Sequence, residues 1–174
     1  PTALKIGQNM KYDLQVLHSC GIHLAEPMFD TMIAHYLLHP EMRHGMDYLA
    51  EAYLNYQTIH IDELIGTGKK QISMAQVPPQ DVCPYAAEDA DITLRLKHLF
   101  QSQMEEAGCL PLFQDLEMPL MPVLAQMERN GVCIDSKGLR DTSVHYSEEM
   151  ALMEQEIHKM AGLEFNVSSP RQVG

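Results

Sequence analysis

Hydrophobic and polar positions follow a strand-then-helix pattern twice in the first part of the chain. An apolar run at Leu4–Gln8 precedes a helical spacing over Met10–Ser19, and Asn9 is predicted to cap that helix. A second extended piece at Pro27–Phe29 leads to Asp30, the predicted cap of the next helix. The repeat predicts an α/β fold.

The rest of the chain is predicted to be mainly helical. The segment from Tyr56 to Pro79 carries few helix signals and is expected to be rich in loops. Helical spacing is found in four stretches: Met46–Leu54, Asp81–Ala107, Leu116–Arg129 and Ser136–Ala161. The best boundary is Gly108–Pro111, because glycine and proline end helices. We therefore predict a helix-rich α/β part at 1–108 and a helical part at 109–174.

Composition supports a folded core, since 45% of the 174 residues are hydrophobic. The formal charge of −12 gives no basic footprint for nucleic acid, so charge alone argues against DNA. An apolar run of membrane-spanning length and a secretory leader are both absent from the sequence, which predicts a cytoplasmic protein without a membrane partner. The spacing of the four cysteines matches neither a disulfide framework nor a zinc site. The oligomeric state is left open.

The segment Tyr85–Asp91 carries the strongest candidate chemistry. Tyr85 and Asp89 are four residues apart, so on a helix they share one face. The carboxylate could hold a hard divalent ion while the phenol orients a water. The alternative is that Tyr85 packs in the core and the acids solvate the helix.

A second candidate lies at Gly7–Asp13. It places the Asn9 amide at the turn from strand to helix and the Asp13 carboxylate about one helical turn later, where a metal-bound phosphate could approach a sheet edge. The alternative is a simple helix cap followed by a surface acid. Spacing alone leaves both interpretations open.

Together with five further segments in order, these motifs resemble the family A DNA polymerases. The resemblance spans nearly the whole chain and is carried by Gly7–Asp13, Phe29–Met32, Arg43–Glu51, Tyr85–Asp91, Glu117–Leu124, Glu128–Val132 and Phe165–Ser169. It implies that 1–108 is the C-terminal portion of an RNase H-like 3′–5′ exonuclease domain. Residues 109–174 would be the first helices of the polymerase domain, leading into its thumb. The parent enzyme would be a nucleotidyltransferase and nuclease of DNA replication and repair.

The resemblance also assigns roles within a site for two Mg²⁺ or Mn²⁺ ions. Asp13 and Asp89 would be two of four metal-binding acids, and Tyr85 would align the attacking water. The residues expected to contact the single-stranded 3′ end of a primer-template are Gln8, Asn9, Tyr12 and Arg43. The first motif of the family, an Asp-x-Glu on an early strand, is expected to lie upstream of Pro1 in the parent protein. The metal site is therefore expected to be incomplete in this chain, and the chain alone inactive. Because bound metal ions neutralise an acidic cleft, the net charge of −12 does not exclude DNA binding at such a site.

Two other functions are weighed against this one. A catalytically inactive exonuclease fold could serve a polymerase as a brace or strand guide. A ribonuclease D-like 3′–5′ exoribonuclease could share Tyr85 and Asp89, but the motifs at Glu117–Val132 argue against it. The pair His35 and His39 has a zinc-compatible spacing but supplies only two ligands, so no metal is predicted there.

Overall fold

The two strand-then-helix repeats form a parallel sheet of two strands in a computed structural model that describes residues 2–174. Strand β1 (Lys5–Gly7) pairs in parallel with β2 (Met28–Asp30), with Ile6 opposite Phe29. Helix α1 (Met10–Ser19) connects them, as a parallel crossover requires. The helix-rich α/β class predicted from the sequence is confirmed.

The remaining elements are helical within the described residues. They are α2 (Thr31–Leu38), α3 (Met46–Leu54), α4 (Ile61–Ile65), α5 (Pro79–Ala107), α6 (Leu110–Leu112), a π-helical turn (Phe113–Glu117), α7 (Met118–Asn130), α8 (Ser136–Ala161) and α9 (Pro170–Val173). The segment predicted to be rich in loops contains α4 and two single 3₁₀ turns, at Gly68–Lys70 and Met74–Gln76. Helix α5 begins at Pro79, two residues before the predicted start at Asp81, and Pro84 lies inside the helix.

Helix α1 does not begin in the way the sequence predicted. Asn9 adopts a left-handed conformation (φ 65°, ψ 47°), and its side chain makes no capping hydrogen bond. The prediction that Asn9 caps α1 through its side chain is therefore wrong. Asp30 does cap α2, because its carboxylate accepts the N–H groups of Met32 and Ile33.

The chain divides into two units after Asn130. The first unit extends past the Gly108 helix stop, because Phe113 is buried and its ring centroid lies 4.7 Å from that of Phe29 on β2. The apolar core of this unit joins residues from both sides of Gly108: Phe29, Ala34, Leu49, Leu96, Phe100, Met104, Phe113, Met118 and Met121. The assignment of residues 109–174 to a polymerase domain remains a prediction.

The second unit, Gly131–Gly174, is built around α8. Asp135 caps this helix by accepting the N–H groups of Lys137 and Gly138 at 3.1 and 2.9 Å. None of the residues of α8 is buried. Across residues 2–174, a helix with both the length and the apolar character needed to cross a membrane is not found.

Candidate active site

One cavity of the first unit, with a volume of about 360 Å³, is lined by three of the predicted site residues. Gln8 follows β1, Asp13 lies on α1 and Asp89 lies on α5. The other lining residues are small or mainly apolar: Ile6, Gly7, Met46, Ala90, Thr93 and Leu94. Helix α5 packs against β1, which brings Asp89 to the carboxyl end of the strand.

Both carboxyl groups in this cavity lie in surroundings that disfavour a negative charge. Burial raises the pKa of Asp89, and the charges of Glu88 and Asp47 raise it further, while a hydrogen bond from Tyr85 opposes the shift. Burial also raises the pKa of Asp13, followed by the charge of Asp30. A cation bound near either carboxylate would relieve this unfavourable charge.

Tyr85 lies one helical turn before Asp89 and is half-buried beside it. Burial raises the pKa of the Tyr85 phenol above its usual value of 10.0, and the charge and hydrogen bonding of Asp89 raise it further. The phenol is therefore protonated at neutral pH. It can donate one hydrogen bond and accept another, as a group that orients water must.

The acids around Asp89 have separate roles. Glu88 accepts hydrogen bonds from the Tyr56 hydroxyl at 2.8 Å and from the Ile59 N–H at 2.7 Å, so it anchors the segment after α3. Asp91 lies 3.6 Å from Arg95 in an exposed ion pair. Of these three acids, Asp89 is the one that lines the cavity.

The side chain of Gln8 is bound within the protein at both ends of its amide. Its Nε2 donates to the His44 carbonyl oxygen at 2.7 Å, and its Oε1 accepts from the Thr31 hydroxyl. The turn therefore links β1 to the segment that carries Arg43. A hydrogen bond from Gln8 to DNA would require one of these two contacts to be exchanged.

The other predicted DNA-contacting residues lie outside the cavity lining. Asn9 is exposed at the turn, and Tyr12 is 63% exposed on α1. Arg43 is exposed and precedes His44, the residue whose carbonyl oxygen binds Gln8. The structure thus brings Gln8, Asp13 and Asp89 together in one cavity lining, to which Asn9, Tyr12 and Arg43 do not belong.

Asp47 influences the candidate site, although the sequence motifs predicted no individual role for it. It accepts a hydrogen bond from Thr58 at 2.8 Å, and its carboxylate lies 3.1 Å from His60 Nδ1. Its charge raises the pKa of both Asp89 and Tyr85. The signal in the sequence was its place in the Arg43–Glu51 motif, but only the fold shows which acids face one another.

The surroundings of His35 indicate a structural role in the core rather than a role in binding metal. It is fully buried, with Nδ1 2.7 Å from His44 Nδ1 and Nε2 3.0 Å from the Tyr53 hydroxyl. Burial lowers the pKa of His35 to about 4, and the neighbouring His44 and His39 lower it further. The imidazole is neutral at pH 7 and pairs with its neighbours in the core.

The donor set of the cavity fits a hard divalent cation, which prefers carboxylate oxygens. Asp13 and Asp89 both line the cavity, and the partial burial of each carboxyl disfavours its charged form. Within residues 2–174, however, a group of three or more acid, histidine or cysteine side chains that could hold a metal is not found. Asp13 and Asp89 alone could supply only part of a coordination shell.

Comparison with known proteins decides the family. The family model for the 3′-5′ exonuclease of the A-type DNA polymerases matches residues 1–105. The chain belongs to this exonuclease family. The resemblance identified from the sequence motifs is thereby confirmed, and the family agrees with a partial RNase H-like fold.

Curated relatives of the family match along the whole chain. DNA polymerase I of Pseudomonas aeruginosa is 42% identical over 178 residues, which cover 100% of this chain and 20% of that protein. DNA polymerase I of Treponema pallidum is 38% identical and covers 99% of this chain and 17% of that protein. The chain therefore spans about a fifth of the length of these relatives.

A solved structure also shares the fold of this exonuclease chain. It is described as the POL domain of Pol1 from M. smegmatis in complex with DNA primer-template and dNTP. The match has a TM-score of 0.73 and 22% identity, and it covers 97% of this chain and 26% of that one.

Proposed function

We propose that this chain supplies part of a 3′–5′ exonuclease site to a family A DNA polymerase that acts in DNA replication and repair. The substrate would be the single-stranded 3′ end of a primer-template, and the metals Mg²⁺ or Mn²⁺. The observation that carries the proposal is the single cavity that Gln8, Asp13 and Asp89 line, with Tyr85 beside Asp89. Family membership explains why these residue types occur at these positions.

The roles of the side chains follow from their chemistry. Asp13 and Asp89 would hold positive charge at the phosphodiester. When bound, divalent ions supply Lewis acidity and lower the pKa of water. The protonated Tyr85 phenol would fix the direction of a water through its hydrogen bonds. Hydrolysis of the terminal phosphodiester consumes one water and releases a nucleotide, so the site needs no serine or cysteine nucleophile.

The DNA would contact residues around the cavity. Arg43 carries an exposed guanidinium that can bind phosphate in a bidentate manner, and Tyr12 offers an exposed ring on which a base can stack. Asn9 offers its amide at the turn between β1 and α1. Gln8 would contribute after exchanging one of its internal hydrogen bonds. The strand would thus lie across the elements that border the cavity.

The test is made in the whole DNA polymerase that carries this sequence. Asp13→Ala and Asp89→Ala should each lower the release of nucleotides from a labelled single strand by more than about a hundredfold, because each removes a carboxylate that holds metal. Primer extension should be retained, because polymerisation would use other residues.

The matched control is Asp91→Ala, which removes an exposed acid two residues from Asp89 on the same helix. It should leave nucleotide release within a factor of about two. If Asp13→Ala and Asp89→Ala retained activity within a few-fold, the two acids would not belong to the metal shell. A wild-type protein without any 3′–5′ activity would instead favour an inactive brace or strand guide.

A further inference from the structure

Asp30 is a buried acid that lies outside the candidate cavity lining. Only 1% of its surface is exposed, at the end of β2. Its Oδ2 accepts the Met10 N–H at 2.6 Å, and its Oδ1 accepts the Asn9 N–H at 3.2 Å. Oδ1 also accepts the N–H groups of Met32 and Ile33 at 2.8 and 3.3 Å. One carboxylate thus caps the N-termini of both α1 and α2.

All four partners of Asp30 are donors, so the group needs acceptor oxygens at both positions. Burial raises the pKa of its carboxyl, and the four N–H donors oppose that shift. This arrangement replaces the side-chain cap that Asn9 does not make, because the left-handed Asn9 backbone directs its N–H to Asp30. The start of α1 is therefore fixed by a residue on the neighbouring strand.

Thr31 extends this link to the turn that carries Gln8. It is fully buried, and its hydroxyl lies 3.1 Å from the Gly7 carbonyl oxygen and against Gln8 Oε1. Gln8 in turn donates to the His44 carbonyl oxygen. Gly7 itself must lack a side chain, since a Cβ there would overlap with the Met10 side chain. Consecutive residues of β2 and α2 thus hold the turn from Gly7 to Met10.

We infer that Asp30 and Thr31 are positioning residues of the exonuclease site. Asp30 fixes the start of α1 and hence the position of Asp13. Thr31 fixes the orientation of the Gln8 amide and, through His44, the segment of Arg43. This inference rests on the proposed function and adds two residues that touch neither metal nor DNA.

The test compares variants of nearly equal shape in the whole DNA polymerase that carries this sequence. Asp30→Asn places an NH₂ group against at least one of the N–H donors, so one helix start loses its cap. It should lower the kcat for release of a 3′ nucleotide by about tenfold or more and raise the Mg²⁺ concentration for half-maximal rate. Primer extension should be unchanged.

Thr31 offers a second variant that does not depend on the first. Thr31→Val removes the hydroxyl and should raise the KM for a single-stranded oligonucleotide by about tenfold, with kcat within about threefold. Thr31→Ser retains the hydroxyl and should restore KM, a rescue that packing alone would not produce. The matched control is Asp62→Asn, an exposed acid in the first turn of α4, which should match the wild type in both constants.

Hydrogen exchange provides a readout that needs no activity. In Asp30→Asn, the amides from Asn9 to Asp13 should exchange about tenfold faster, while those of α5 remain unchanged. Wild-type kinetics together with wild-type exchange at these amides would overturn the inference. A wild-type protein without 3′–5′ activity would refute the proposed function, and the exchange rates would then decide alone whether Asp30 fixes the start of α1.

Discussion

Asp89 and Glu88 are adjacent acids of one helix with different surroundings. Glu88 has two hydrogen-bond donors, from Tyr56 and Ile59, whereas Asp89 has the Tyr85 phenol and the repulsion of Glu88 and Asp47. An acid with compensated charge stabilises the fold, while an acid with uncompensated charge is available to a cation. Substitution of Glu88 should therefore destabilise the fold, whereas substitution of Asp89 should stabilise the metal-free protein.

The first prediction concerns stability without metal. The carboxyl of Asp89 has a pKa above its unfolded value of 3.8, so the folded state binds its proton more tightly. The metal-free protein therefore loses stability as the pH rises from below 3.8 through the raised pKa of the folded state. Asp89→Asn should remove this loss and increase the free energy of unfolding at pH 7 by up to about 1 kcal/mol after discounting for solvent screening.

Urea unfolding in chelator at pH 3 and pH 7 measures this effect. Asp91→Asn, which alters an exposed acid of the same helix, should change stability by less than about 0.5 kcal/mol. With Mg²⁺ added, the wild type should become more stable than Asp89→Asn, because the ion stabilises the wild type more. A metal-free Asp89→Asn protein less stable than the wild type at pH 7 would contradict the repulsion argument.

The second prediction separates the phenol from the carboxylates. In the full-length protein that carries this sequence, Tyr85→Phe should lower nucleotide release by roughly ten- to a hundredfold. The proposed positioning of the water would be lost, while the two carboxylates proposed to hold metal would remain. Asp89→Ala should cause the larger loss. Single-turnover measurements on a labelled strand compare the two. Equal losses in both variants would show that Tyr85 has a role in holding the metal.

The residue types of the candidate site can be predicted from sequence motifs, whereas several of their interactions cannot. Tyr85 and Asp89 were predictable as a pair, since helical spacing fixes their relation. The capping role of Asn9 was predicted wrongly because the competing cap, Asp30, lies 21 residues away and becomes available only when β2 pairs with β1. Long-range hydrogen bonds of this kind are not encoded in local spacing.

At the scale of elements, the helix ends were more predictable than the packing. The bounds of α8 agree with the helical pattern, because Asp135 and Gly162 are strong local end signals. The Gly108 stop was also read correctly as the end of α5. It does not end the first unit, however, since the chain turns back and buries Phe113 against Phe29. A helix stop therefore gives no information about which elements share a core.

The third prediction tests this continuity. Phe113→Ala should destabilise the first unit by about 3–5 kcal/mol, because it leaves a cavity beside the sheet. Leu116→Ala in the same π-helical turn should cost less than about 0.5 kcal/mol, because Leu116 is 53% exposed. Tyrosine fluorescence during urea unfolding reports mainly on the first unit, since Tyr146 is the one tyrosine beyond Asn130. Equal stability of the two variants would show that the first unit ends at Gly108.

At the scale of the molecule, the segment after Gly108 contributes to the surroundings of the site. Glu128 on α7 contacts Lys11 and Gln15 on α1, the helix that carries Asp13. These contacts lower the pKa of Glu128, Lys11 being the larger cause. The site helix is thus held by Asp30 at its start and by α7 along its length. The net charge of the chain does not reveal these contacts, because the role of each acid depends on the residues that it contacts in the fold.

The last prediction concerns the 174-residue chain by itself. Within residues 2–174, Asp13 and Asp89 are the two acids that line the candidate cavity, and no group of three possible ligands is found. Magnesium demands near-octahedral geometry, so two carboxylates without further anionic ligands hold it weakly. Calorimetric titration of the chain should therefore give a Kd in the millimolar range, about 1 mM or weaker.

The same chain should release no nucleotide from a 3′-labelled single strand with Mg²⁺ or Mn²⁺, because in-line attack needs a fixed metal geometry that two carboxylates do not provide. The Asp89→Ala chain serves as the matched control for contaminating nucleases. Micromolar binding, or nucleotide release that disappears in this control, would mean that another acid of the chain completes the shell. Asp47 would then be the first candidate, since its charge already reaches both Asp89 and Tyr85.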